Sequence, residues 1–228
     1  MTEDALSLVR LLQLASPALP VGAYSYSQGL EWMIESRTIH DAATVQQWIG
    51  DVLEHVMAVG EAAVLWRLLD ATANGDAACF REWNAWYRAA RESRELRAET
   101  EQMGGSLVQL VTELGALDDG ARALAREAAP ITFPAAFALS ACGLKIRAGD
   151  ALTGYLMSWL ENQVLVAVKA LPLGQVAGQR LLHVLSARIP AVAARARTLA
   201  DDDVASFAPG LALASARHET QYSRLFRS

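Results

Sequence analysis

The sequence predicts an all-α protein, and three observations lead to that prediction. Apolar residues recur at the three- and four-residue spacing of an amphipathic helix along most of the chain. Runs of alternating β-branched residues, which would indicate strands, are almost absent. Prolines, glycines and acidic runs divide the pattern into pieces of helical length. We therefore expect a single domain of about ten helices over residues 1–208 and a tethered, partner-docking tail over residues 209–228.

The first predicted helix begins at Thr2, whose side chain can cap it, and ends in the segment Ser16–Pro20. Two acidic residues follow Thr2, where the positive end of the helix dipole favours them. One apolar stripe of this helix is expected to face the core, and it consists of Leu6, Val9, Leu12 and Ala15.

The next helices are expected after Ser25 and after Thr44, because each is followed three residues later by Gln, as in a capping box. Gly60 is a candidate break before the helix that follows it. Two more helices are expected within residues 76–115. The pair Gly104-Gly105 would weaken the second of them unless another backbone packs closely against it.

The second half of the chain is predicted to contain five helices and a linker. The expected helices span about residues 119–128, 135–147, 150–171, 175–187 and 190–200. Pro134 suits the first position of the second of these, and Asp150 can cap the third. The acidic run at residues 201–203 and the pair Pro209-Gly210 are expected to form a linker to the tail.

Composition excludes several classes of function. The chain has 228 residues, is 53% hydrophobic and carries a formal net charge of -5, so it can bury a large core and offers little for nonspecific nucleic-acid binding. Cys79 and Cys142 are expected to be reduced, buried thiols. The most apolar run, residues 151–171, is interrupted by charged and amide side chains and does not fit a membrane span. The acidic start Met1–Asp4 opposes a signal peptide and indicates a cytoplasmic protein.

The residues that catalysis would need are not arranged in recognisable motifs. The nearest approach to a phosphate-binding loop, residues 174–178, lacks the required spacing and lysine. The four histidines are scattered, and no serine lies in a nucleophile elbow. We expect neither an enzyme nor a metal site or cofactor of its own. The competing hypothesis is a helical small-ligand enzyme or regulator with an internal pocket among Phe137, Tyr155 and Trp159.

Three segments carry more specific information. Residues 19–32, with sequence LPVGAYSYSQGLEW, form a turn rich in small residues that runs directly into a helix. Residues 155–163 place several polar side chains in an otherwise apolar helix, where such groups must either pair with each other or line a channel. Residues 217–228 combine three arginines with Tyr222 and Phe226, a composition typical of interface hot spots.

Together these segments resemble the family of the urease accessory protein UreF. The resemblance rests on Leu19-Pro20-Val21-Gly22 with Tyr24-Ser25, on Ser158-Trp159-Leu160-Glu161 running on to Lys169 and Pro172–Gln175, and on His218–Phe226. It covers nearly the whole chain, although residues 51–149 match mainly in helical character. The resemblance implies a homodimeric all-α protein without catalysis. Such a protein would bind UreD (also called UreH), recruit the GTPase UreG and help to deliver nickel to apo-urease, with nickel and GTP carried by the partners.

The resemblance also implies a set of partner-binding residues and a passage for nickel. The expected partner-binding residues are Tyr24, Glu31, Lys169, His218, Tyr222, Arg224 and Phe226. Of these, Glu31 and Lys169 would contact or restrain the GTPase. The passage would be lined by Ser158, Glu161 and Gln163. The tail would be mobile in the free chain and become ordered when UreD and UreG assemble on it.

Overall fold

The computed structural model describes residues 2–228, in which twelve α-helices and no strands occur. The helices are α1 (Thr2–Leu14), α2 (Leu30–Glu35), α3 (Ala42–Val52), α4 (Glu61–Asn74), α5 (Ala77–Ala90), α6 (Arg94–Glu113), α7 (Asp119–Glu127), α8 (Phe133–Gly143), α9 (Ala148–Ala170), α10 (Gln175–Ser186), α11 (Ile189–Thr198) and α12 (Pro209–His218). A π-helical turn, Leu53–Met57, extends α3, and Gly60 then precedes α4 as the expected break. The all-α prediction is confirmed.

The core is organised around α8, which is apolar on all sides. Its residues from Pro134 to Ala141 are all buried, and α4, α6 and α9 pack around it. A helix needs no polar face when other helices surround it completely. Pro134 stands in the first turn, close to its predicted position, where its missing N–H would have had no partner within the helix.

A close backbone contact joins α6 to the segment that leads into α8. A Cβ atom built on Gly104 would lie 2.3 Å from the carbonyl oxygen of Ile131, whereas one on Gly105 would meet open space. The buried Asn84 holds the same segment, because its side chain bonds to the carbonyl of Ala128 at 2.8 Å and to the N–H of Thr132 at 2.9 Å. The predicted close approach of another backbone is therefore confirmed at Gly104.

The predicted starts of two early helices are wrong by several residues. α2 begins at Leu30 rather than after Ser25, because Gly22 and Gly29, with φ of 83° and 81°, shape an intervening turn. α3 begins before Thr44 and is capped by Asp41, whose carboxylate accepts a hydrogen bond from the N–H of Thr44 at 2.8 Å. Thr44 is thus the third residue of a capping box and not its first.

The apolar stripe of α1 that was predicted to face the core lies mostly on the surface of the protein instead. Leu6, Val9 and Leu12 are 47%, 61% and 63% exposed, while α1 meets the body through Leu11, against Gly154, and the buried Leu14. Leu11 and Leu14, three residues apart, lie on a different face of α1 from Leu6, Val9 and Leu12, and it is this face that packs against the body. The side chain of Thr2, which was predicted to cap α1, is not among the groups that the structure describes.

Two predictions from composition can be compared with the structure. No helix between residues 2 and 228 is long and apolar enough to cross a membrane. Both cysteines are unbonded thiols, but Cys142 is exposed, contrary to the expected burial, because it lies in the last turn of α8, beyond the part that other helices cover.

The C-terminal segment is folded onto the body. Pro209 begins α12 where a linker was predicted, and α12 packs against α2 with Ser215 and His218 completely buried. Residues 219–228 follow without regular structure, yet Phe226 and Ser228 are buried. The expectation of a mobile tail is therefore wrong for this structure, because carboxylates on α2 and α6 provide partners for the tail.

Candidate functional site

The three segments singled out in the sequence meet at one place in the fold. The turn before α2 is bound to α9, because Trp159 donates to the side-chain oxygen of Gln28 at 2.8 Å and Asn162 donates to the carbonyl of Tyr26 at 3.0 Å. The tail lies against both, with the Nζ atom of Lys169 5.8 Å from the ring centre of Phe226. Residues 19–32, α9 and the tail therefore form one candidate site.

Glu31, on α2, holds the main chain of the tail. The residue is 6% exposed, and its carboxylate accepts hydrogen bonds from the N–H groups of Leu225 at 2.6 Å and Phe226 at 3.1 Å. A buried carboxylate is stable only when its oxygens are paired in this way, and bonds to a charged acceptor are among the stronger ones. Glu31 is therefore an anchor for the tail.

His218, at the end of α12, is completely buried between two carboxylates. Its Nε2 lies 3.0 Å from Glu31 and its Nδ1 lies 2.8 Å from Glu95 on α6. Each ring nitrogen therefore has a carboxylate oxygen within hydrogen-bond distance, and His218 joins Glu31 and Glu95 into one cluster of ionisable groups beneath the tail. Glu95 also accepts a hydrogen bond from Arg224 at 2.6 Å, which extends this ion cluster to the surface.

The last two residues pair with the turn before α2. The N–H of Arg227 donates to the carbonyl of Ser25 at 2.7 Å, and the main-chain oxygen of Ser228 accepts from the N–H of Ser27 at 2.6 Å and from the Ser27 hydroxyl. The hydroxyl of Ser228 donates to Glu99 on α6 at 2.7 Å. The end of the tail is thus bound through main chain and side chain together.

Glu99 connects the tail to the interior. Burial raises the pKa of Glu99 to about 7, although hydrogen bonds from Gln28 and Ser228 and the charge of Arg91 act in the opposite direction. The N–H of the Gln28 side chain donates to Glu99 at 2.8 Å. The charge of this contact between tail and body therefore changes near neutral pH.

Behind the tail attachment lies a cavity of about 60 Å³ that reaches into the core. Its polar end is formed by Glu61, which accepts hydrogen bonds from the hydroxyls of Tyr87 and Tyr155, and by Arg91, whose buried Nε finds no partner within residues 2–228. Burial raises the pKa of both tyrosines well above the usual range. The residues predicted to line an internal pocket, Phe137, Tyr155 and Trp159, all line this cavity.

The residues of the predicted nickel passage are not all at this cavity. Ser158 lines it, together with Asn162, but Glu161 and Gln163 do not. Glu161 is half-buried elsewhere on α9, and its burial raises its pKa. Gln163 is buried, and its amide nitrogen has no hydrogen-bond partner in the described part of the chain. A passage lined by these three residues therefore stays a prediction. Within residues 2–228, no group of three or more His, Cys, Asp or Glu could hold a metal ion.

The predicted partner-binding residues divide into an inner and an outer set. Glu31, His218 and Phe226 are buried, so in this structure they hold the tail and offer no surface to a partner, which differs from the contact expected of them. The exposed residues are Tyr24, Lys169, Tyr222 and, in part, Arg224.

Sequence reasoning missed the residues that receive the tail. These are Ser27, Gln28, Glu95 and Glu99, whose hydrogen bonds join residues more than 70 positions apart. Glu95 and Glu99 lie in a helix whose alternating charges are typical of a solvated face, so nothing local distinguished them. Gln28 and Ser27 lay within the first of the three segments, which was the one available signal.

Comparison of the sequence with known proteins identifies a matching family model and several close relatives of this chain. A family model described as UreF matches residues 39–186. The urease accessory protein UreF of Azoarcus sp. (strain BH72) is 54% identical over 225 residues, covering 98% of this chain and 96% of that protein. The urease accessory protein UreF of Janthinobacterium sp. (strain Marseille) is 51% identical over 225 residues, 99% of this chain and 100% of that protein. The bifunctional urease accessory protein UreEF of Bordetella bronchiseptica is 50% identical over 228 residues, which are 99% of this chain and 53% of that protein.

Proposed function

The chain belongs to the UreF family of urease accessory proteins, and from this premise we propose that it acts as a scaffold in urease maturation. It would bind UreD (UreH) and, with it, recruit the GTPase UreG for GTP-dependent insertion of nickel into apo-urease. Nickel would be cargo and GTP would be bound by UreG, so the chain itself, as a homodimer, would supply surfaces and not catalysis. The name of the Bordetella relative joins UreE and UreF, which supports the proposal that this chain acts together with other accessory proteins.

The observation that carries this proposal is the two-sided tail. Its inner side is fixed by Glu31 and the ion cluster, while its outer side exposes Tyr222 and Leu225 at 105% and 71%. Arg224 lies beside them and is held by Glu95. Aromatic and arginine side chains are common interface hot spots, and a surface already held in place loses less entropy when a partner binds. The tail would therefore be a preorganised docking surface.

A second exposed surface fits a protein that bridges partners. α1 presents Leu8, Val9 and Leu12, each more than half exposed, on the side away from the body. Several large apolar residues exposed together on one helix are uncommon outside interaction sites. A bridging protein needs two such surfaces, and we propose that α1 and the outer side of the tail serve as these two.

The proposal is tested by measuring how much UreG is captured by a complex of this chain with UreD. Leu225→Asp places a charge on the outer side of the tail without removing its main-chain hydrogen bonds. We expect captured UreG to fall at least tenfold. The matched control is Val176→Asp on α10, because Val176 is 66% exposed and lies outside the tail. Equal capture by Leu225→Asp and wild type, with both helical by circular dichroism, would reject the tail as the docking surface.

A second candidate function, binding of a small molecule, is favoured by the cavity. A volume of about 60 Å³ exceeds what a single water molecule needs, and the Nε of Arg91, which has no hydrogen-bond partner among residues 2–228, offers a donor at its polar end. Titration calorimetry of the chain alone with nickel, GTP and small organic acids distinguishes the two functions. The scaffold proposal predicts no measurable heat, and saturable binding of an organic acid that Arg91→Met abolishes would favour the alternative.

A further inference from the structure

Among the five phenylalanines, all of which lie within residues 2–228, only Phe207 stands on the surface. It is 89% exposed, whereas Phe80, Phe137 and Phe226 are at most 5% exposed and Phe133 is half-buried. A ring left in water forgoes the stabilisation that burial of an aromatic side chain provides. Aromatic side chains are enriched at the centres of protein interfaces. The position of Phe207 therefore fits contact with another protein better than service to the chain's own core.

The loop that carries this ring, residues 199–208, is held at its start by a buried arginine on α4. We call it the Phe207 loop. The side chain of Arg67 is 10% exposed and donates to the carbonyl of Leu199 at 2.8 Å and to the carboxylate of Asp201 at 2.6 Å. The planar guanidinium group holds both acceptors at once, which fixes their directions as well as their distances. The start of the loop is thus attached firmly to α4.

The middle of the Phe207 loop is bonded to the body just before the ring. The N–H of Ala205 donates to the carbonyl of Val59 at 3.0 Å, and the hydroxyl of Ser206 donates to the carbonyl of Ala90 at 3.1 Å. The loop also lies close against Gly60, where a Cβ atom would be 2.9 Å from the carbonyl oxygen of Ala205. These contacts hold the backbone next to the exposed ring in one place.

Uncompensated negative charge lies close to the ring along the chain. Asp202 and Asp203 are exposed and form no ion pair within residues 2–228, while the neighbouring Asp201 is paired with Arg67. Asp203 stands four positions before Phe207, so their Cα atoms are at most about 14 Å apart, which is within the width of one interface. Surfaces that bind each other usually carry complementary charge. The Phe207 loop therefore fits a partner that has an apolar pocket flanked by basic side chains.

We propose that the Phe207 loop is a third docking surface, that its partner is apo-urease, and that the ring fills an apolar pocket which basic side chains of that protein flank. The inference rests on the proposed function, in which α1 and the outer side of the tail bridge UreD and UreG and leave apo-urease without a surface. A side chain carried by a fixed backbone loses less entropy when it is bound. The loop lies outside residues 219–228, so its failure would leave docking on the tail untouched.

Binding of apo-urease to an immobilised complex of the full-length chain with UreD tests the role of the ring. Phe207→Ser retains the hydrogen bonds of the loop and should weaken the binding of apo-urease at least tenfold. Phe207→Leu keeps an apolar side chain and should weaken it less than about threefold. The control is Leu114→Ser, because Leu114 is 57% exposed and lies at the end of α6, about 30 Å along that helix from Arg94. The control should bind like wild type, and all three variants should capture UreG normally.

The salt dependence of the same binding tests the acidic residues. The double variant Asp202→Asn with Asp203→Asn should bind apo-urease about threefold more weakly than wild type at low salt, since salt screens exposed charges. Raising the salt from about 50 mM to about 300 mM should weaken wild type and change the double variant much less. Glu113→Gln, an exposed carboxylate beside Leu114, should keep the salt dependence of wild type.

Three results would overturn the inference. The first is binding of apo-urease by Phe207→Ser within twofold of wild type. The second is an equal loss of UreD or UreG, because the loop would then serve another partner. The third is an unchanged salt dependence in the double aspartate variant. If the wild-type complex does not bind apo-urease at all, the proposed function itself is rejected, and this inference with it.

Discussion

Glu31 and His218 are 187 positions apart in the sequence and are hydrogen-bonded at 3.0 Å in the buried centre of the tail attachment. This contact changes how both residues are understood. From the sequence each was a candidate for direct contact with a partner, whereas the structure places each beneath the tail. An effect of either residue on the GTPase would therefore pass through the position of the tail, which is the surface that we propose a partner meets.

Removal of His218 is expected to be among the most destabilising single changes near the tail. His218→Ala removes the partner that Glu31 and Glu95 share and leaves them only the tail N–H groups and Arg224; removing one partner of a buried pair typically costs up to about 3–5 kcal/mol. Urea denaturation followed by circular dichroism measures this loss. The double variant with Glu31→Gln should lose less than the sum of the two single changes, because one uncompensated charge is also removed. A fully additive pair would show that the two residues act independently.

Glu99 should make stability fall as pH rises towards neutrality. Its pKa is about 7 in the folded chain against an ordinary value near 4.5, so the folded chain holds a proton that the unfolded chain releases between these values. The stability from this proton is fully present below pH 4.5 and is lost as pH rises through 7. The free energy of unfolding of Glu99→Gln, relative to that of wild type, should therefore increase with rising pH, by at most about 3 kcal/mol.

Urea denaturation at pH 4.5, 6, 7 and 8 measures the difference between Glu99→Gln and wild type. Glu113→Gln changes an exposed carboxylate on the same helix and should follow the wild-type profile. A constant difference between Glu99→Gln and wild type across the four pH values would contradict a carboxyl that titrates near 7 in the fold.

The contact of Lys169 with Phe226 should matter less than burial of the ring. Phe226→Ala removes a ring from a residue that is only 5% exposed. It should lower the free energy of local opening of the tail by about 3 kcal/mol or more, as truncations of buried Phe do. Lys169→Ala removes a cation 5.8 Å from the ring centre of Phe226 and should cost about 0.5–1 kcal/mol. Native-state hydrogen exchange at Leu225 reports both. Equal effects would mean that the cation, and not burial, holds the ring.

Gly104 and Gly105 should respond in opposite directions to alanine. At Gly104 a Cβ would lie 2.3 Å from a backbone oxygen, so Gly104→Ala should destabilise by about 1–3 kcal/mol through overpacking. At Gly105 the Cβ would meet open space, so the better helix propensity of alanine should stabilise by about 0.5–1 kcal/mol. Thermal unfolding of the two variants compares neighbours in one helix. Similar shifts in Tm would contradict the close contact with Ile131.

The fold was predictable wherever information is local. Helical periodicity and chain breaks placed most elements within a few residues, including α7, α10 and α11. The predicted start of α2 is wrong because Gln28, which resembles part of a capping box in the sequence, instead forms hydrogen bonds with Trp159 and Glu99. The exposed stripe of α1 shows the same limit, since periodicity gives two candidate faces when leucines lie on both.

The sequence by itself determined the helical class, the break at Gly60, the need for a close backbone at Gly104 and the three segments that form the candidate site. Tertiary structure alone decided what those segments do together. Glu31, Glu95 and Glu99 carry no local sign of burial, because a carboxylate is buried only when distant donors meet it, and here those donors are His218, Arg224, Ser228 and the main chain of the tail. Pairing across such distances is a property of the folded chain, and it turns the tail from a mobile end into a held surface.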